Sequence, residues 1–433
     1  MHVDLLITHA SQLLTIPAHD GGPQRGERLG DLAIMADGAL AVSNGSIVDL
    51  GPTADLVARH QAAQIIDAGG RVVMPGFVDP HTHVVFAGDR AHEFERRIAG
   101  ATYMEIMNAG GGIMSTVRAT RAASVDELVA QTRARLDCML AHGTTTAEAK
   151  TGYGLETAAE LKMLDAMARL DAAHPIDLVP TFLGAHAIPA EYQGREDAYT
   201  DLVVNEMLPT IASCILHPAS FFVDVFCEHG AFTLAQTRRI LEKAKELGFA
   251  LKIHVDEFEP LGGTRLGVAV GAVSVDHVVT TPPAEIELLG KSSTIAVSLP
   301  GTPFGLAQRD YTPATAILAA GGALALATDL NPGTTWNESM QFIVALACRY
   351  LKLTQAQALA AATINAAHAV GRGGSIGSLE IGKQADVLIM DVSDYRSIGY
   401  RYGTNLVRRV IKRGQAVMQP SCPSAFVGHP GDC

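Results

Sequence analysis

Met74-Pro75-Gly76-Phe77-Val78-Asp79-Pro80-His81-Thr82-His83 is the stretch whose reading decides the fold. Apolar segments (Val72-Val73-Met74, then Phe77-Val78) stop abruptly at two histidines with one residue between them. In extended chain, side chains at i and i+2 point the same way. His81 and His83 can therefore present two imidazoles to one point, as a metal requires. Two surface histidines on a loop would read identically, so the rest of the chain has to decide.

Working outward, short apolar runs alternate with longer amphipathic segments. Candidate strands are Gly76–Val78, Thr144–Ala149, Leu178–Leu183, Phe222–Phe226, Leu251–His254, Ser274–His277, Ile295–Leu299 and Ala323–Ala327. One intervening helix shows the logic. Ser124 and Glu127 make a capping box, Val125, Leu128, Val129, Leu136, Met139 and Leu140 recur at helical spacing, and Gly143 closes it. Eight strands separated by helices imply a parallel sheet in an α/β protein, whose closed form is a (β/α)8 TIM-like barrel. A doubly wound open sheet has the same alternation and stays open at this point.

Both ends of the chain read differently. Asp31–Met35, Ala39–Val42 and Ser46–Leu50 are strand-like and separated by the hairpin pairs Asp37-Gly38 and Asn44-Gly45. Ala385–Met390 and Val407–Ile411 repeat that style. Neither end is long enough for its own core. The expected organisation is a small composite β-domain from residues 1–73 plus 376–420, a barrel over 74–375, and a frayed tail at 421–433.

The 433 residues are 48% hydrophobic and 18% charged, with 45 acidic and 33 basic residues, formal charge −12. With no basic stripe and few aromatics, neither nucleic acid nor an anionic membrane is expected as a partner. A small anionic substrate is compatible, since it needs only one or two local cations. The Met1 end lacks a basic n-region, and no run approaches the ~18 apolar residues of a membrane span. The six cysteines are scattered without a C-x-x-C and read as reduced thiols. The expected location is the cytoplasm.

Chemistry in a barrel gathers at the C-terminal ends of its strands. Just past the candidate strands stand His81 and His83; Glu148, Lys150 and Tyr153; His186; Glu228 and His229; His254 and Glu257; His277; Ser298; Asp329 and Asn331. Scattered core histidines would not show this bias. Three imidazoles and a carboxylate suit a borderline divalent ion such as Zn2+ or Fe2+. The candidate ligands are His81, His83, His254 and Asp329, although an Asp capping the next loop would look like Asp329. The triple glycine Gly110-Gly111-Gly112 lacks the following Gly-Lys-Ser/Thr of a phosphate cradle and has no well-marked helix start, so it reads as a loop.

With these residues in place, the chain resembles the amidohydrolase superfamily of metal-dependent barrels. The segments that carry the resemblance run from His81-Thr-His-Val-Val-Phe-Ala-Gly-Asp-Arg90 through Glu148-Ala-Lys-Thr-Gly-Tyr-Gly-Leu155 and Phe182-Leu-Gly-Ala-His186. They continue with His254-Val-Asp-Glu257, Asp276-His277 and Thr328-Asp-Leu-Asn-Pro-Gly-Thr334. The match spans about Asp4 to Val417 and is to the branch that hydrolyses 4-imidazolone-5-propanoate to N-formimidoyl-L-glutamate, the third step of histidine degradation. It implies substrate contacts at Arg90, Tyr153, His186, Glu257, Asn331, Gly333 and Thr334. Glu257, His277 and Asp329 are implied nearest the chemistry, and a homodimer is the implied assembly.

The residue types fit those implied roles. Arg90 could grip a carboxylate tail with its planar fork, although Asp89, Glu93 and Glu95 offer it ordinary ion pairs. Glu257, three residues after ligand His254, could carry a proton to the departing ring nitrogen, with His277 aiding the tetrahedral intermediate. Dinuclear superfamily members bridge their metals with a carbamylated lysine at the end of the fourth strand. Here that strand ends Cys227-Glu228-His229, so one divalent metal per chain is expected. An aminohydrolase of a purine, pyrimidine or related ring is the rival reading, and a non-catalytic interaction protein on the same fold is another.

Overall fold

The computed structural model describes residues 1–101 and 111–417. Eight parallel strands lie side by side in chain order: Phe77–Asp79, Thr144–Lys150, Asp177–Ala185, Phe222–Cys227, Ala250–Val255, Ser274–His277, Ile295–Ser298 and Ala323–Leu326. These are the first to eighth barrel strands. The ring closes just beyond the first and eighth strands, where Thr82 bridges Leu330 and the His83 N–H donates to the Leu330 carbonyl at 2.9 Å. Every expected strand is present within a few residues, and the closed barrel replaces the open-sheet alternative.

Strand alternation explains how the barrel is filled. In the fifth strand Ile253 and Val255 join the apolar core against the helices, which sends Lys252 and His254 to the opposite, inner face. The second strand sorts Ala147 and Ala149 from Glu148 and Lys150 in the same way, and the fourth sorts Val223 and Val225 from Asp224. The helix from Val125 to Ala141 begins with the expected capping box of Ser124 and Glu127. Gly110 lies outside the described residues, but Gly112 leads directly into a helix, Ile113–Ala122, that the sequence left unmarked.

The two chain ends build the extra β structure together. A four-stranded sheet runs in the order 46–52, 38–43, 2–10, 61–67. A six-stranded sheet runs 415–417, 407–412, 387–390, 72–75, 12–14, 34–35, so its centre pairs Leu388 with Met74 across the sequence. Leu5, Ile7, Leu40 and Val42 from one end pack with Val387, Ile389 and Ile411 from the other. The strand expected at Asp31–Met35 shrinks to Ile34–Met35. The preceding segment is drawn onto the barrel instead, with the Arg25 guanidinium donating to the carbonyls of Gly290, Ser292 and Gly321.

Lys412 ties this sheet to the barrel, donating to the Thr145 carbonyl, Asp177 and Asp386 at 2.8, 2.8 and 2.7 Å. Among the described residues no helix is long and apolar enough to cross a membrane. Among the described residues Cys214, Cys227 and Cys348 are free thiols.

Candidate metal centre and substrate pocket

His81, His83, His254 and Asp329 meet at the C-terminal mouth of the barrel, all buried. The Nε2 atoms of His81 and His83 each lie 3.5 Å from Asp329 Oδ1, and His83 Nε2 lies 3.4 Å from His254 Nε2. Their donor atoms are thus gathered as a single ion requires. His277 joins the same cluster, its ring 5.5 Å from that of His81 and 5.3 Å from that of His254. Its backbone has φ +79, and Val278 and Asp329 are also left-handed at +48 and +55. Alternation along the sixth strand would send His277 away from the inner face that holds Asp276. The strained φ turns it back, a cost of the kind stored at functional sites.

Carboxylates behind the ligands fix the imidazoles. Asp276 Oδ2 accepts from His81 Nδ1 at 2.7 Å, which leaves Nε2 with its lone pair. That Nε2 is buried with no hydrogen-bond partner, an expensive state for a polar atom and one that an ion would relieve. Asp224 Oδ2 lies 2.9 Å from His254 Nδ1, and Thr302 donates to Asp329 Oδ2 at 2.5 Å. Burial holds His81, His83 and His277 well below the usual histidine range, aided by Lys150 at His81, His186 at His83 and His254 at His277. They are neutral, as ligation requires. Burial raises Asp329 to about 6 despite the Thr302 hydrogen bond. A cation is the partner that would restore its charge.

Below the histidines lies a fully buried layer of charge. Lys150 Nζ donates to Asp224 at 2.7 Å and lies 2.9 Å from Glu148. Lys252 Nζ donates to Glu148 at 2.9 Å and to the Pro80 carbonyl at 2.5 Å, and lies 3.5 Å from Asp276. Burial opposes the charge on Lys150, but Asp224, Glu148 and Asp276 outweigh it and raise its pKa. Charges survive complete burial only when paired in this way.

The pocket wall comes from the remaining residues. Arg90 donates from Nε to Glu93 Oε2 at 2.8 Å, so one of the ion pairs anticipated from sequence is formed. Its Nη atoms make no hydrogen bond among the described residues and lie against Gly333, where a Cβ would stand 2.4 Å from Nη1. Tyr153 is buried, 5.9 Å from the His83 ring and 5.3 Å from that of His186. His186 stacks on His83 at 4.8 Å and bonds through Nδ1 to the Gly152 carbonyl at 3.0 Å. Burial lowers it to about 3. Glu257 Oε2 lies 3.6 Å from His277 Nε2, and burial, with Asp329 and Glu228 adding repulsion, raises Glu257 well above the carboxylate range.

Several of these residues also hold neighbouring backbone. Asn331 donates to the Asp329 carbonyl and to Thr334 Oγ1, and accepts from the Gly333 and Thr334 N–H groups, so both ends of its amide shape its own loop. Glu228 accepts from the His229, Phe258 and Glu259 N–H groups, and His229 is exposed. Ser298 donates to Thr312, which in turn donates to the His277 carbonyl. Sequence reasoning offered Glu93 only as an ordinary ion-pair partner of Arg90 and missed Thr302, Asp224 and Lys252. A signal was available for the last two, since each is a charge inside an otherwise apolar strand.

Residues 72–417 match the Amidohydrolase family. A relative named imidazolonepropionase, from Herpetosiphon aurantiacus, is 57% identical over 420 residues, covering 96% of this chain and 97% of its own. The chain belongs to the amidohydrolase family and, within it, to the imidazolonepropionases. A second imidazolonepropionase, from Chloroflexus aggregans, is 51% identical over 96% of this chain and 98% of its own. Among solved structures, a zinc-bound adenosine deaminase from Xanthomonas campestris superposes with TM-score 0.71 at 23% identity, covering 96% and 93% of the two chains. E. coli guanine deaminase does so with TM-score 0.69 at 15% identity over 96% and 99%. At such identities these two share the fold, whereas the imidazolonepropionases share the sequence. Membership of this family makes the protein a metal-dependent hydrolase of a small molecule.

Proposed function

We propose that this protein hydrolyses the ring C–N bond of 4-imidazolone-5-propanoate to N-formimidoyl-L-glutamate, the third step of histidine degradation. The observation that carries the reading is the Arg90 fork: a largely buried guanidinium whose Nη groups make no hydrogen bond among the described residues, beside a cluster of neutral histidines. A ring substrate bearing a carboxylate tail needs both features, and a neutral nucleobase needs only the second. His81, His83, His254 and Asp329 would hold one divalent ion, Zn2+ or Fe2+. When bound, the ion supplies Lewis acidity that acidifies water towards neutral pH and polarises a carbonyl.

The protein's own groups complete the reaction. Arg90 clamps the propanoate, with Tyr153 and His186 against the ring and tail and the Asn331–Thr334 loop setting the depth of the pocket. Glu257, held protonated by burial and by its acidic neighbours, is suited to deliver a proton to the ring nitrogen as it departs. His277, neutral and 3.6 Å from Glu257, can hydrogen-bond the oxygen that gains charge in the tetrahedral intermediate. Support for one ion comes from the fourth strand, which has no lysine, and from Lys150, whose ammonium is engaged by carboxylates. The homodimer rests on the family resemblance alone.

The test is freshly prepared imidazolone propanoate, followed by loss of its ultraviolet absorbance with metal-loaded protein. The reading expects rapid loss with formation of formimidoylglutamate. No acceleration, together with ammonia release from a purine or pyrimidine, would replace it with the deaminase reading.

A further inference from the structure

We propose that Glu93 is a positioning residue that sets substrate affinity by aiming Arg90, an inference that rests on the carboxylate-clamp reading above. Glu93 is 2% exposed, although it lies in the first turn of the helix Ala91–Ile98, where glutamates ordinarily face water. Its two oxygens have separate tasks. Oε2 accepts from Arg90 Nε at 2.8 Å, while Oε1 accepts from the Gly112 N–H at 2.9 Å and from Ser115 Oγ at 3.2 Å.

The consequence for Arg90 is directional. With Nε held from behind, the guanidinium is restrained, and Glu93 makes no hydrogen bond to either Nη group. On the opposite side Nη1 meets Gly333, whose missing Cβ is what lets the group approach. Gly333 is held in turn by Asn331 Oδ1 at 2.8 Å. The arginine is therefore gripped between a buried carboxylate and a glycine, with the face needed for a bidentate anion contact left over. The same carboxylate ties Arg90 to Gly112, at the start of the helix Ile113–Ala122, so it couples the clamp to a second segment of the pocket rim.

Glu93→Gln separates this role from bulk stability. Glutamine keeps the volume and one acceptor for Gly112 and Ser115, but turns an NH2 towards the Nε–H of Arg90. KM for imidazolone propanoate should rise about tenfold, the effect of about 1.4 kcal/mol, with kcat within about threefold. The decisive readout is discrimination between imidazole-4-propanoate and its neutral amide as competitive inhibitors. Wild type should prefer the carboxylate, and Glu93→Gln should lose most of that preference.

On an Arg90→Met background, Glu93→Gln should change the preference no further. Should Glu93→Gln fold poorly, Glu93→Asp, which keeps the charge but shortens the reach, should show an intermediate loss. An unchanged preference in both Glu93 variants, with wild type discriminating, overturns the inference alone. Failure of wild type to discriminate overturns the clamp itself. An equal fall of kcat in both variants, with KM and the preference unmoved, would make Glu93 merely structural.

Discussion

Asp276→Asn should weaken divalent-ion binding by about 10–100-fold, about 1.4–2.8 kcal/mol, while leaving the metal-free fold nearly as stable. The carboxylate sits 2.7 Å from His81 Nδ1, where it fixes the tautomer and makes Nε2 a stronger donor. An asparagine carbonyl could keep that hydrogen bond but not the charge. A simple Coulomb count would forecast a large loss of stability as well. Asp276 lies 3.5 Å from Lys252 and 3.9 Å from Lys150, roughly 4–5 kcal/mol of gross attraction for each at an effective dielectric of about 20.

The direction of its titration argues otherwise. Burial raises the Asp276 pKa and is not overcome by Lys252 and Lys150, so the charge brings no net gain to the metal-free fold. Lys150 would keep Asp224 and Glu148, and Lys252 would keep Glu148 and the Pro80 carbonyl. Competition against a chelator of known affinity measures the first effect, and thermal unfolding of metal-free protein the second. Ion affinity within twofold of wild type would refute the reasoning. So would an apo-protein destabilised as much as ion binding is weakened.

Three further outcomes follow from the geometry. Glu257→Gln should retain the ion, as metal analysis would show, and lose turnover by about 10²–10⁴-fold; near-normal turnover would remove Glu257 from the proton path. Gly333→Ala should push its Cβ into Arg90 Nη1, raising KM by about tenfold or more with little change in melting temperature, and steady-state kinetics with calorimetry would check both. Asp177→Asn should cost about 1.5–3 kcal/mol at neutral pH by taking a charged acceptor from Lys412 and Arg413. Although burial opposes it, those cations depress the Asp177 pKa. Its contribution is therefore present above the unfolded value of about 3.9 and lost as pH falls through the lower folded value, so the difference between variant and wild type should shrink in acid. A difference constant from pH 7 to 3 would count against the ion pair.

The barrel was legible because its strands are short apolar runs with polar ends, and because His81-Thr82-His83 marks where one of them stops. Asp329 and His254 were legible for the same reason. What stayed hidden depends on contacts between distant segments. Thr302 is an ordinary threonine until a short helix places it against Asp329. Glu93 looks like one acid in a charge-rich helix, and only the approach of Gly112 shows that it is buried. The Lys150–Lys252 layer was half visible, since charged residues within apolar strands must find partners. Their identity required the barrel to close. His277 was found by position, yet the φ that aims it could not be read from its neighbours.

The most direct test of the account is a titration of metal-free protein with Zn2+ or Fe2+ while hydrolysis of imidazolone propanoate is followed by absorbance. Activity should rise linearly and level off at one equivalent per chain. A plateau at two equivalents, or ions bound tightly without turnover, would contradict a mononuclear hydrolase site built on His81, His83, His254 and Asp329.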